Sequence, residues 1–295
     1  MRPGDTPAAI ESGSESRSES KSGLESGSES AKGPRVILGL EYDGSRFFGF
    51  QRQRQKPTVQ EVLEDAVGRV ADRPVTIHCA GRTDAGVHAV CQVVHFDTEV
   101  QRSERTWVLG CNSHLPAGAS VLWARPAAPG FHARFSARGR TYRYRILNRW
   151  TRPGLFAGRL SWERRRLDAE RMHEAAQALV GEHDFTSFRA PGCQARHAVR
   201  MLRSISVERS AHEVVIEVTA NAFLYHMVRN IAGTLIEVGV GKRPPEWVAD
   251  VLARRRRAVA GVTATPDGLY FVGVDYPDFP ELPTFEQSAF PRGWN

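Results

Sequence analysis

The chain has no apolar run near the roughly 20 residues that a helix needs to cross a bilayer; stretches such as Val90 to Val94 are far too short. Its N-terminus has no apolar leader segment. Both absences lead us to expect a soluble, cytoplasmic protein. The four cysteines, Cys79, Cys91, Cys111 and Cys193, are scattered and form no Cys-x-x-Cys pair. This argues against a disulfide framework and against a redox centre. Cys79, His88 and Cys91 make a poor zinc set, lacking a second cysteine pair, so no metal is expected. Gly239-Val-Gly-Lys242 lacks the first Gly and the Ser/Thr of a phosphate loop. A zinc-dependent base deaminase requires His-x-Glu followed by Pro-Cys-x-x-Cys, and neither element occurs.

Residues 1–33 are built from Ser, Glu and Gly repeats with almost nothing apolar, and are expected to be disordered. They hold four basic and six acidic groups, so of the net +7 the rest of the chain carries +9. A folded part with that surplus is suited to phosphate-bearing partners. The arginine runs Arg164-Arg-Arg166 and Arg254-Arg-Arg-Arg257 read as solvated faces rather than sites.

Beyond the tail, Val36 to Tyr42 reads as a strand entering an Asp-Gly turn, and Thr58-Val-Gln-Glu61 as a capping box opening a helix to about Asp72. Strands at Val75–Cys79 and Cys91–Asp97, a helix near Glu104–Cys111 and a strand at Val121–Arg125 complete a β-α-β-β-α-β series. A second series starts at the strand Arg140 to Ile146. It continues with a helix from Asp168, whose Met172, Ala175, Ala176 and Leu179 share one face, and strands at Met201–Val207 and Val214–Thr219. A helix from Phe223 to Val238, a short one near Glu246–Arg254 and a strand at Leu269–Val274 end it. The expected fold is α+β: two ferredoxin-like halves joined through antiparallel sheets, with a cleft between them. The boundaries expected are a tail at 1–33, halves at 34–135 and 136–276, and an extension at 277–295.

Gly81-Arg-Thr-Asp-Ala-Gly86 lies between two strands and, taken locally, is a glycine-flanked turn in which Asp84 has no special claim. The connection is nonetheless longer than a hairpin needs and holds Arg, Thr, Asp and His. Tyr142 reads locally as a core aromatic and Arg229, off the apolar stripe of its helix, as a solvated cation.

Ala80-Gly-Arg-Thr-Asp-Ala-Gly-Val-His-Ala89 resembles the catalytic motif of the TruA family of tRNA pseudouridine synthases. Further matches follow in order: Tyr42-Asp-Gly, Gly49-Phe-Gln-Arg-Gln53, Asn112 to Pro116, Phe131-His-Ala-Arg-Phe-Ser-Ala137, Gly181 to Arg189, Asn221-Ala-Phe-Leu-Tyr-His-Met-Val-Arg-Asn230 and Gly268-Leu-Tyr270. The resemblance spans about Val36 to Tyr276. It implies an isomerase that converts uridine to pseudouridine at positions 38 to 40 of the tRNA anticodon stem-loop, as a cytoplasmic homodimer without cofactor or metal. It further implies Asp84 as nucleophile, ion-paired with Arg229, Tyr142 as the ring on which the base stacks, Arg82 as the base-flipping group, and Leu269 as an apolar contact to the flipped base. Thr263-Ala-Thr-Pro-Asp-Gly-Leu269 departs from the family's usual Thr-Ala-Pro-Ala-x-Gly-Leu, the proline having moved one position. A non-catalytic RNA-binding relative would be expected to lack Asp84, Tyr142 or Arg229, and all three are present.

Overall fold

Apolar residues at Val36, Ile37, Leu38 and Leu40 are buried and fix strand β1 (Arg35–Tyr42) in the core of a computed structural model that describes residues 33–54 and 56–283. Most of the 1–33 tail and the end of the 277–295 extension lie outside the described residues. Helix α1 (Val59–Val70) follows, and the Thr58 hydroxyl accepts from the Glu61 amide at 3.4 Å, as the capping box predicts. The Glu61 carboxylate, however, faces Arg52, 3.6 Å away. Then come β2 (His78–Cys79), β3 (His88–Asp97), α2 (Glu104–His114) and β4 (Ala119–Pro126).

The second half holds β5 (Gly139–Asn148), β6 (Ser161–Glu163), α3 (Ala169–Gln177), β7 (Gly181–Asp184), β8 (Val199–Ser210) and β9 (Glu213–Ala220). It ends with α4 (Met227–Gly239), α5 (Trp247–Ala253) and β10 (Leu269–Asp275). One sheet runs through both halves in the order β4-β1-β3-β10-β5-β9-β8-β7, with β2 added to β3 and β6 to β5. Each half therefore repeats one spatial order: β4-β1-β3-β2 in the first and β10-β5-β9-β8 in the second. The α+β fold read from the pattern is present, with antiparallel pairing within each half except for the short β6, which runs parallel to β5.

The seam itself is parallel, not antiparallel: Tyr270 and Phe271 of β10 pair with His88 and Ala89 of β3. Strand β3 is thus shared. Its first residues bond to the other half, while His95 and Val94 near its far end pair with His78 and Cys79 of β2. That division keeps β2 to two residues where five were expected; the Ile77 amide donates to the Glu64 carboxylate at 3.1 Å instead of to β3. Two short strands, β6 and β7, were not foreseen.

The helical stripes lie where the 3.6-residue period puts them. Met172, Ala175, Ala176 and Leu179 are buried, as are Val228, Ile231, Leu235 and Val238. Helix α4 starts later than expected, at Met227, because His226 has φ 57° and ψ 12°. A left-handed residue cannot continue a right-handed helix, so Phe223 to His226 are freed to turn elsewhere.

Under the first half, His78, His95 and His132 form a ring cluster with centroids 4.5–5.5 Å apart. His95 Nδ1 accepts from the Ala133 amide at 3.1 Å. Burial, reinforced by Arg35 and by the two neighbouring rings, holds its pKa down at about 3. A histidine that resists protonation when folded binds fewer protons than when unfolded, so stability falls as pH drops from about 6.5 towards 3. Urea unfolding should show a loss approaching about 1.4 kcal/mol per pH unit from this group, and His95→Asn should flatten that slope. An unchanged slope would assign the acid loss to other residues.

Candidate active site

The loop from Gly81 to Gly86 links β2 to β3 and is fixed by backbone and side-chain bonds from several elements. The Phe50 amide donates to the Thr83 carbonyl at 3.0 Å, and the Tyr42 hydroxyl shares a 2.7 Å bond with the Thr83 hydroxyl. Gln92 Nε2 donates to the Gly81 carbonyl at 2.7 Å, and Arg140 Nη2 to the Ala80 carbonyl at 3.0 Å. The Val87 amide closes a turn on the Asp84 carbonyl at 3.1 Å. Gly49 belongs to the same scaffold: at φ +88°, a Cβ there would lie 2.8 Å from the Thr83 carbonyl oxygen. Asp84 is therefore carried by a constrained turn on a rigid sheet, which is how a reacting group is kept in register.

Gly86 shows what became of the displaced proline. Pro266 opens a short 3-10 turn, Pro266–Gly268, that leads into β10, and a Cβ on Gly86 would lie 2.8 Å from its Cγ. Thr265 is extended (φ −62°, ψ 156°), as a residue before proline prefers, and its carbonyl accepts from the Tyr144 hydroxyl at 2.9 Å. The proline thus packs directly on the loop. Gly86→Val adds a side chain at φ +81° and against Pro266, so we expect it to lower turnover by about tenfold or more, with a stability loss of roughly 1–3 kcal/mol. Thermal melts beside turnover assays check this, and native turnover would refute it.

Across the seam, the start of α4 faces the loop. Asp84 Oδ2 lies 3.4 Å from His226 Nε2 and 3.8 Å from Arg229 Nη1. Arg229 is held in place, its Nε donating to the Ala264 carbonyl at 2.8 Å while the Ala264 amide donates to the Arg229 carbonyl at 3.1 Å. Behind it, Asn230 is buried and tied to Thr263 and Phe188. Burial pushes the Asp84 carboxyl above its ordinary value, opposed first by His226 and then by Arg229. Burial pushes His226 down, opposed by Asp84 and reinforced by Arg229 and Arg257.

Of the other expected residues, Tyr142 lies close to the loop, Arg82 is part of it, and Leu269 stands on β10. Tyr142 lies in β5 with only 9% of its surface exposed, its ring nearly perpendicular to Phe223 and Phe271 at 5.0 Å from each. Its hydroxyl would lie 3.8 Å from a Cβ on Gly81, so the ring sits close to the loop. Leu269 is buried and pairs with Tyr144, sharing its strand face with Phe271. Arg82 is exposed on the loop.

Two residues of the site went unnoticed in the sequence. His226 is nearer to Asp84 than Arg229 is, yet it stood in a segment read as plain helix. Arg140, read only as part of a strand face, bonds the Ala80, Ala137, Arg134 and Asn221 carbonyls and so ties the loop to both halves. A separate recess of about 260 Å³ lies beside Asp43, His88, Arg159 and Tyr270. Its Asp43 is already engaged by Arg159 at 2.8 Å and by Ser45.

The family described as tRNA pseudouridine synthase matches residues 40–136 and 175–277. A protein named tRNA pseudouridine synthase A from Xanthomonas euvesicatoria pv. vesicatoria is 56% identical over 251 residues, covering 84% of this chain and 98% of its own. Its namesake from Methylococcus capsulatus is 56% identical over 244 residues, covering 83% of this chain and 90% of its own. A solved structure titled "Crystal Structure of a Cbf5-Nop10-Gar1 Complex" covers 80% of this chain and 48% of its own at 14% identity, with a TM-score of 0.33, too low to carry weight.

Proposed function

The chain belongs to the tRNA pseudouridine synthase family, and on that premise we propose that it isomerises uridine to pseudouridine in the tRNA anticodon stem-loop, with Asp84 as nucleophile. It is an isomerase of tRNA. The observation that carries the assignment of Asp84 is its place on a braced turn, opposed across the seam by His226 and Arg229. An ionised carboxylate can attack an electrophilic carbon and later leave, and the two basic side chains favour the ionised form against burial.

The remaining roles follow from what base chemistry in a duplex stem demands. Extruding a nucleotide costs a few kcal/mol, and we assign to Arg82, exposed on the loop, the task of filling the space it leaves. Stacking on an aromatic ring contributes about 1–3 kcal/mol per base, the task we assign to Tyr142. With Tyr142 largely covered, Phe223 has to give way for a base to lie on it, and Leu269 would then line the apolar side of the slot. The 34–135 half supplies the nucleophile and the 136–276 half its charged and aromatic partners, with 277–295 as an extension.

The same reading extends to a cytoplasmic homodimer that works without metal or organic cofactor. No helix among the described residues is long and apolar enough to cross a membrane. Trp150, Leu155 and Phe156 are large apolar side chains left exposed, of the kind that a second copy would cover. The deciding experiment maps pseudouridine in tRNA from a strain lacking the protein. Loss at positions 38 to 40, restored by the native gene, supports the reading; retention of all three would overturn it.

A further inference from the structure

Any route from uridine to pseudouridine, whether Asp84 attacks sugar or base, has to move one proton. Carbon 5 bears a hydrogen at the start and none at the end, while N1 gains one. We propose that His226 is the catalytic base that takes the carbon 5 proton through Nε2. The inference rests on the function proposed above and names a group that function leaves open.

Geometry carries it. His226 Nε2 is 3.4 Å from Asp84 Oδ2, so a base whose reacting carbons lie against that carboxylate also lies within reach of the imidazole. The left-handed backbone at φ 57° is an uncommon conformation for a residue other than glycine. It delays the start of the helix and leaves the ring facing the loop, tilted by 31° against Tyr225 with centroids 3.9 Å apart. The Asn230 amide holds the His226 carbonyl at 2.9 Å.

The charged and titratable groups around the site leave few other acceptors. Arg229 on α4 and Arg257 beyond α5 are cations with no lone pair to offer, and both favour a neutral His226. The Tyr142 phenol is raised well above its ordinary value by burial, and Asp84 and Tyr42 push it further the same way. Asp84 is bonded to carbon 6 when it attacks the base, and when it attacks the sugar it leaves as a carboxylate that faces Arg229 at 3.8 Å. A half-buried, neutral imidazole is the acceptor that remains among these groups.

The step balances without any added reagent. On the sugar route carbon 5 joins C1′ of the ribose as the Asp84 carboxylate leaves it; carbon 5 is then tetrahedral and still bears its hydrogen. Nε2 accepts that proton, the C–H electron pair restores the double bond between carbons 5 and 6, and the displaced pair returns to N1 or, on the base route, leaves with the Asp84 carboxylate from carbon 6. The imidazolium then gives the proton up and N1 takes one, so the enzyme regains its starting state.

The test compares single-turnover rates on tRNA transcripts carrying ordinary uridine or 5-deuterouridine, for the native enzyme, His226→Gln and His226→Asn. General base catalysis contributes roughly 10²–10⁴-fold, so both variants should lose at least about a hundredfold in rate. Their deuterium isotope effect should rise well above the native value, because proton removal becomes rate-limiting. An isotope effect equal to the native one would overturn the proposal and leave His226 as a positioning residue for Asp84. Asn tolerates the left-handed backbone, so His226→Asn keeps the test open if His226→Gln does not fold. A native enzyme that forms no pseudouridine would refute the function itself, a result separate from failure of this step.

Discussion

Asp84→Asn should lower pseudouridine formation by roughly 10⁴-fold or more, the scale on which loss of a nucleophile is felt, while tRNA affinity stays within about tenfold, or 1.4 kcal/mol, of native. The two effects separate because Asp84 is one anion in a basic protein. Phosphate contacts dominate affinity for a nucleic acid, and replacing a carboxylate by a neutral amide of the same shape removes no such contact. The turn should survive as well, since its bonds run through the Thr83, Gly81 and Asp84 backbone and not through the carboxylate. Single-turnover assays with a gel-shift titration provide both numbers. Residual turnover near native would sink the nucleophile assignment.

Arg229→Met should cost roughly 10²-fold in kcat/KM, comparable to removing one preorganised charge contact in an active site. Its pH dependence is the sharper readout. As the proposed nucleophile Asp84 has to be ionised, burial raises its pKa, and Arg229 is one of two groups that hold it back. Removing that cation raises the pKa further, so the acid limb of the kcat/KM profile moves to higher pH and part of the loss returns on the alkaline side. Arg229→Lys keeps the charge but loses the Nε bond to Ala264, and should fall between the two. An acid limb that stays in place in Arg229→Met would show that Arg229 serves packing alone.

Much of the fold was legible because it is written in periods and caps. The stripe Met172, Ala175, Ala176, Leu179 and the Thr58 cap needed only a short window of sequence, and both are present. What escaped has no local marker. A left-handed His226 carries no sign of its backbone, as a glycine would have, and Phe223 and Leu224 before it fit an apolar helix face. The parallel seam depends on Tyr270 meeting His88, residues too distant for any window to connect. Asp84 was identified through family resemblance. Its own surroundings in the sequence described a turn, and only the folded chain brings His226 and Arg229 to it.

The shared strand β3 has a consequence for the order of assembly. Its first residues, beside the loop that carries Asp84, pair with a strand about 180 positions further along the chain. Closing so long a loop is entropically costly and slow compared with local pairing. On a ribosome, the β4-β1-β3-β2 set can form as it emerges, whereas the edge at His88 stays open until Tyr270 has been made. Asp84 would therefore meet its partners only when the nascent chain is nearly complete, so the isomerase gains its competence at the end of synthesis and all at once.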